Sequence, residues 1–182
     1  HNIEVGKDTI APDQPKFEVS KEGTSIHGTA EANAKVIIQD STGVVIATGT
    51  VDANGKFNIT ISPALDASKT GKIIIEDAAG NKSSAVEIKA GQDVLAPDKP
   101  VANLNAEGTV ITGTAEANSK ISVYDSANKL LGTATTDANG NYSVTLSTAL
   151  TEAKVGSVYA TDAAGNQSAL SSVTGTKDVT AP

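Results

Sequence analysis

The chain of 182 residues contains no cysteine, no methionine and no tryptophan. Without cysteine there is no disulfide, no thiolate nucleophile and no sulfur-ligated metal site. This does not fix a compartment, because exported proteins can also lack cysteine. A cysteine-free domain outside the cell must find its stability elsewhere, and bound metal is one route. Cations are in deficit: 14 Lys and Arg against 21 Asp and Glu give a net charge of -7. That balance argues against a nucleic-acid partner, whose phosphates would be repelled. No apolar run approaches the roughly 20 residues of a membrane helix, so no membrane insertion is expected, and no signal peptide is visible. Only two histidines are present. His1 is terminal and His27 is a lone histidine on an expected strand, more often a surface residue than a catalytic base. No nucleophile elbow, phosphate loop or zinc-helix motif occurs, so an enzyme is not expected. Aromatic residues are scarce as well: Phe17, Phe57, Tyr124, Tyr142 and Tyr159 are the whole set. Most of them alternate inward, which argues against a platform for stacking sugars.

What is present is Thr, Ser, Ala, Val, Gly and Asp, a composition for short strands and turns. It is also present twice. "DTIAPDQP" begins at Asp8, "DVLAPDKP" at Asp93 and "DVTAP" at Asp178, each 85 residues from the last. The same offset carries "IHGTAEANAK" (26–35) onto "ITGTAEANSK" (111–120), and "VDANGKFNIT" (51–60) onto "TDANGNYSVT" (136–145). It also carries "EDAAGNKSSA" (76–85) onto "TDAAGNQSAL" (161–170). A period this long is a small domain and not a solenoid turn of roughly 20–50 residues. The expected division is a leader over 1–7, one unit over 8–92, a second over 93–177 and the start of a third at 178–182. The chain reads as a slice of a longer array. The tripeptides at 58–60, 81–83, 141–143 and 166–168 that match glycosylation sequons are taken as chance in so Ser-, Thr- and Asn-rich a chain.

Alternation and turn chemistry predict seven strands in the first unit, over 16–20, 24–29, 35–39, 43–50, 56–61, 71–76 and 84–89. Phe57, Ile59 and Ile61 alternate with polar residues, and Tyr142, Val144 and Leu146 repeat them. Val36 and Ile38 match Ile121 and Val123, while Ile37 becomes Ser122, which points the middle residue outward. "DANG" (52–55) and "DAAGN" (77–81) read as tight turns in which Asn and Gly supply positive φ. The connection over 62–70 is the longest, and its "ALDAS" is read as a short helical turn. Seven short strands with a turn every 8–12 residues predict an all-β chain: two tandem Ig-like β-sandwiches arranged end to end. A fibronectin-III-like topology is the nearest rival.

In a sandwich with alternating strand directions, every second loop shares an end. The N-terminal end of the second unit then gathers Asp93 and Asp98, Glu116 of "TAEAN", Asp137 of "DANG", and Asp162 with Asn166 of "DAAGN". Asp40 and Asp66 lie at the far end of the first unit. The first unit's own N-terminal end gathers Asp8, Asp13, Glu31, Asp77 and Asn81. Converging carboxylates repel one another, and a hard cation relieves this. An all-oxygen set of Asp, Glu, Asn and carbonyls suits calcium, with six to eight ligands at about 2.3–2.6 Å, and not zinc or copper. Pro97 removes a donor and stiffens the segment. The other reading is that aspartate is simply a favoured turn residue. It explains the Asp of "DANG" completely and Asp93 least, since a segment with no hairpin to make gives Asp93 no turn to close.

Taken together and in order, "APDKP", "ITGTAEANSKISVYD", "GTATTDANGNYSVTL" and "VYATDAAGNQSA" resemble the bacterial Ig-like repeats of giant Gram-negative surface adhesins, the biofilm-associated (Bap-like) proteins. The resemblance covers both units. It implies a repeat in a long fibrous protein exported by a type I system and held, extracellularly, at the bacterial cell surface. It implies calcium at the domain junctions, with Asp93, Glu116 and Asp162 as ligands and Asp8, Glu31 and Asp77 as their counterparts. The implied partners are neighbouring repeats of the same chain and other adhesin molecules in a biofilm. The expected function is therefore a calcium-rigidified stalk supporting adhesion and biofilm formation. The alternative is an adhesive module whose loops or edge strands contact a host glycan, a protein or a neighbouring adhesin.

Overall fold

A computed structural model describes residues 6–176. The expected third copy from Asp178 lies outside the described residues, as do residues 1–5 of the expected leader. The chain divides into two units, His1–Leu95 and Ala96–Pro182. The matching strands are β1 (Lys16–Val19), β2 (Ser25–Thr29), β3 (Lys35–Asp40), β4 (Val45–Thr50), β5 (Lys56–Thr60), β6 (Gly71–Glu76) and β7 (Val86–Ile88) in the first. In the second they are β8 (Val101–Leu104), β9 (Val110–Thr114), β10 (Lys120–Asp125), β11 (Leu130–Thr135), β12 (Asn141–Thr145), β13 (Val155–Thr161) and β14 (Ser171–Thr174). There is no helix among the described residues, and so none long and apolar enough to cross a membrane.

Each unit pairs a three-stranded sheet with a four-stranded one: β1-β2-β5 with β4-β3-β6-β7, and β12-β9-β8 with β11-β10-β13-β14. Both are Ig-like sandwiches. Strand four pairs with strand three and not with strand five, whereas the constant-type antibody domain places it in the other sheet. The period of two decides which side chains meet inside. On β5 Phe57 and Ile59 are buried while Lys56, Asn58 and Thr60 are exposed, and β12 repeats the pattern with Tyr142 and Val144. The central strands supply the middle of each core, Val36, Ile38, Ile73 and Ile75 in the first unit and Ile121, Val123 and Val158 in the second, all fully buried.

Three expectations change. Ile37 lies on the outer face, as its spacing required, yet it is 7% exposed. It sits on a central strand between Thr48 and Ile74, and cross-strand neighbours about 5 Å away cover it. The 62–70 connection holds no helical turn. Instead Asp66 Oδ1 accepts the backbone N–H groups of Ser68 and Lys69, both at 2.8 Å, a local alternative that competes with helix. In "DANG" and "DAAGN" the positive φ belongs to Gly55, Gly140, Gly80 and Gly165, while the left-handed asparagines among the described residues are Asn33 and Asn118 of the "AEAN" loops and Asn128 of the β10–β11 turn.

Residues 92–94 are part of the first sandwich. Val19 N donates to Gln92 O at 2.7 Å and Val94 N to Phe17 O at 2.8 Å, so this segment runs along β1 and covers its outer edge. Val94 packs on the first core. At the opposite end of each unit, Gly23 and Gly108 have φ of 67° and 68°, and a side chain on either would collide with the carbonyl of Leu65 or Leu150. Those carbonyls belong to the connection before strand six, so the close approach of two loops, as well as the turn, calls for glycine.

The cores are homologous but not identical. Ala34 and Val51 of the first unit are replaced by Ser119 and Thr136, equally buried. The polar pair is satisfied: Thr136 Oγ1 donates to Glu116 O at 2.6 Å and accepts Ser119 N at 2.9 Å, and Ser119 Oγ donates to Glu116 O at 2.7 Å. Tyr142 stands where the first unit has Phe57, and its hydroxyl donates to Val101 O at 2.7 Å. Its burial pushes the phenol up to about 12. Such substitutions cost little because each buried polar atom finds its partner. Truncating a central aliphatic offers no such repair. Ile73→Ala is expected to lower the stability of the first unit by about 2–5 kcal/mol, measured as the loss of midpoint in urea; a change within error would mean that this core is not closely packed.

Candidate functional site

Each acidic loop is built by the same device. Asp77 follows β6, and its Oδ1 accepts the backbone N–H groups of Ala79 and Asn81, both at 2.8 Å. Its Oδ2 accepts Asn81 Nδ2 at 2.7 Å. Gly80, at φ 87°, lets the chain turn back so that Asp77 N donates to Asn81 O. The copy is equivalent: Asp162 accepts Asn166 N on Oδ1 and Asn166 Nδ2 on Oδ2, both at 2.9 Å. Asp137 accepts the N–H groups of Asn139 and Asn141, and Asp52 those of Asn54 and Lys56. A carboxylate that accepts several N–H groups is stabilised in its charged form. The Asn81 amide holds Asp77 below the ordinary aspartate range, followed by backbone N–H groups. The N–H of Asn141 does the same for Asp137. At the other ends of the strands the Thr42 hydroxyl lowers Asp40 and the Ser68 hydroxyl lowers Asp66.

Backbone bonds then bring these loops together within each unit. Ala30 N donates to Gly55 O and Ala115 N to Gly140 O, both at 2.9 Å, which ties each "AEAN" loop to its "DANG" turn. Asn81 Nδ2 also donates to Asp8 O at 3.1 Å, so Asp8, Asp77 and Asn81 meet. Asp13 and Glu31 line one shallow groove with Lys16. In the second unit Asp98 and Glu116 are exposed, and Pro97 beside Asp98 is buried. The carbonyl of Glu116 is pinned by Ser119 and Thr136 as described. Asp93 does close a turn after all: its Oδ1 accepts Leu95 N at 2.9 Å while its backbone bridges to Glu18. Among the described residues no three His, Asp or Glu side chains gather within metal-binding reach of one another. What gathers is an aspartate with an asparagine four residues on. His27 Nε2 lies 3.3 Å from Glu18 across β1 and β2, both half-exposed, a cross-strand surface pair.

Two tyrosines were hidden by their scarcity. Tyr124 and Tyr159 share the outer face of the four-stranded sheet in the second unit, ring centroids 6.1 Å apart and planes at 72°. The signal was in the alternation: Val158 and Ala160 point in, so Tyr159 between them points out.

The model of the bacterial Ig domain matches residues 11–92 and again 96–177. The chain belongs to the bacterial Ig domain family. Each of its two units carries one match. Among solved structures, the BSP domain of a biofilm associated protein is 23% identical over 93% of this chain and 30% of its own, with a TM-score of 0.41. A segment of two fibronectin type III domains from chicken tenascin is 11% identical over 91% of this chain and 98% of its own, TM-score 0.34. Fibronectin(III)-like modules of Clostridium thermocellum CbhA are 18% identical over 93% and 97%, TM-score 0.37. These two bacterial Ig domains thus span 30% of the biofilm associated chain. No curated protein matches.

The lowered carboxylates set an acid limit. Asp77 is lowered in the folded state, so its contribution is fully present above the ordinary value of 3.8 and is lost as pH falls through the folded value. The urea midpoint is expected to drop as pH goes below 3.8. Asp77→Asn should lower the midpoint at pH 7, because two amide groups then face each other, and should flatten the acid drop. Parallel curves for the variant and the parent between pH 5 and 3 would contradict the role given to Asp77.

Proposed function

We propose that this chain is a stalk segment of a large bacterial surface adhesin, held outside the cell, rigidified by calcium, and exported by a type I system. The observation that carries the reading is the gapless recurrence of a bacterial Ig domain with the same acidic turns, 85 residues on. A protein that repeats a whole sandwich and keeps its chemistry in the loops is suited to length and stiffness. The partners in this reading are neighbouring repeats and other adhesin molecules of a biofilm. A catalytic role has no support from the residues: the one strand histidine is engaged with Glu18 on a surface.

Calcium enters through the Asp–Asn pairs. In the first unit the Asn81 amide nitrogen, partly positive, lies between the carbonyl of Asp8 at 3.1 Å and Oδ2 of Asp77 at 2.7 Å. A cation taking that place, with Asn81 turned to present its oxygen, gains three oxygen ligands from two segments. Asp13 and Glu31 are further acidic groups of the first unit. Asp162 with Asn166 repeats the pair in the second unit, where Asp98 and Glu116 are the remaining acidic candidates; Asp93, on the segment that runs along β1 of the first unit, is a further one. Bound calcium supplies charge neutralisation and lashes loop to loop, which stiffens the array; the remaining ligands come from carbonyls and water.

The test is a thermal melt of the chain in millimolar calcium, in excess chelator and with magnesium. At free calcium about 100 times the dissociation constant, the expected gain is about 2.7 kcal/mol per site. Asp77→Ala combined with Asp162→Ala should abolish the calcium-specific rise, and small-angle scattering should show the calcium-loaded parent to be stiffer than the double variant. An unchanged melting temperature in calcium would reduce the aspartates to turn residues.

A further inference from the structure

The two units present different flanks to solvent. The register of the four-stranded sheet fixes which residues share its outer face. In the first unit that face carries Lys35, Lys72, Glu76 and Glu87, on β3, β6 and β7. In the second unit the same positions are Lys120, Ser157, Thr161 and Ser172. Around them stand the exposed Thr133 and Thr174, with Leu130 at 47% and Val155 at 39% exposure, while Ser122 is buried. The face is therefore free of charge except at one corner, in a chain whose net charge is -7. Tyr124 and Tyr159 lie at its centre, where the first unit has Gln39 and Ile74. The three-stranded flank of the second unit is also neutral, with Asn103, Thr112 and Ser143, but has no aromatic side chain.

We infer that the four-stranded face of the second unit binds an uncharged polysaccharide. Hydroxyl donors and acceptors set around two half-buried aromatic rings, packed edge to face on each other, match a ligand of hydroxyls and C–H faces. The absence of charge matches a ligand without any, since a charged one would lose its hydration here for no compensating partner. The size of the face favours a sugar chain over a protein. Four strands about 4.8 Å apart, with a rise of about 3.3 Å per residue, make a flat area of roughly 400 Å². A stable protein interface needs about 800 Å² from each partner, so a second copy would be held too weakly by this face. A polysaccharide ribbon needs only a strip across the two rings. The inference is independent of the stalk reading and of calcium.

The test is affinity electrophoresis of the full chain through gels containing laminarin, dextran or hydroxyethyl cellulose, with polygalacturonate as the charged control. The parent should be retarded by at least one neutral polymer and not by polygalacturonate. Tyr124→Ala with Tyr159→Ala, and separately Thr133→Glu, should weaken that retardation at least tenfold, while Thr112→Ala on the other flank leaves it unchanged. Thr133 is exposed, so the charge it introduces tests the face even where the tyrosine variant does not fold. No retardation by any neutral polymer, equal loss with Thr112→Ala, or a dimer in sedimentation that Thr133→Glu dissolves would each overturn the inference.

Discussion

The fold rests on one constraint: in a strand, every second side chain points to the same face. With no disulfide and no tryptophan, each sandwich is held by aliphatic side chains delivered inward in this rhythm by β3, β5 and β6 or their copies. Fully burying one such side chain contributes about 1.5–3 kcal/mol, and the buried set in each unit forms one continuous cluster. Because the period is two, a slip of one residue would turn Ile73 and Ile75 to solvent and Lys72 and Glu76 inward. Register is therefore the first thing the turns must protect. The five-residue Asp–Gly–Asn loops do this by fixing where one strand stops and the next begins.

The carboxylates of those loops serve folding before they serve anything else. Asp77 and Asp162 each spend both oxygens on their own turn. That makes them poor bare charges and good preformed oxygens. A cation that displaces the Asn amide meets a carboxylate already held in place, so the ordering cost of the loop has been met by the turn. The same property explains why carboxylates at one end of a sandwich need not repel it apart without metal: each is neutralised in part by the N–H groups it accepts.

Much of this was legible in the residues. Strand positions, the two units and the sharing of ends by alternate loops follow from period and turn chemistry, both of which are local. What was not legible depends on neighbours in space. The shielding of Ile37 comes from Thr48 and Ile74 on other strands, and the role of residues 92–94 comes from pairing with β1, more than 70 positions earlier. "ALDAS" has helical composition, yet Asp66 prefers its own Ser68 and Lys69. Asp93 has no hairpin to close, yet an Asx turn needs none, and its Oδ1 accepts Leu95 N. The acidic candidates could be grouped by end of the sandwich, but not by which oxygens were already in use.

The divergence between the copies separates two kinds of position. Where geometry dictates the residue, the copies agree: Gly23 with Gly108, Asp77 with Asp162, Ser83 with Ser168, whose buried hydroxyls accept the N–H groups of Ile75 and Ala160. Where only the pleat dictates orientation, they part: Lys72 becomes Ser157, and Ile74 becomes Tyr159. An outer sheet face imposes no packing partner, so its chemistry is free to change while the sandwich beneath stays the same. A stiff stalk asks for sameness at the ends of its units and asks nothing of their flanks. The flank that carries one charge and two rings, where its counterpart carries four charges, is thus the part of this chain on which the proposed stalk role places no demand, and where a second property costs the sandwich nothing.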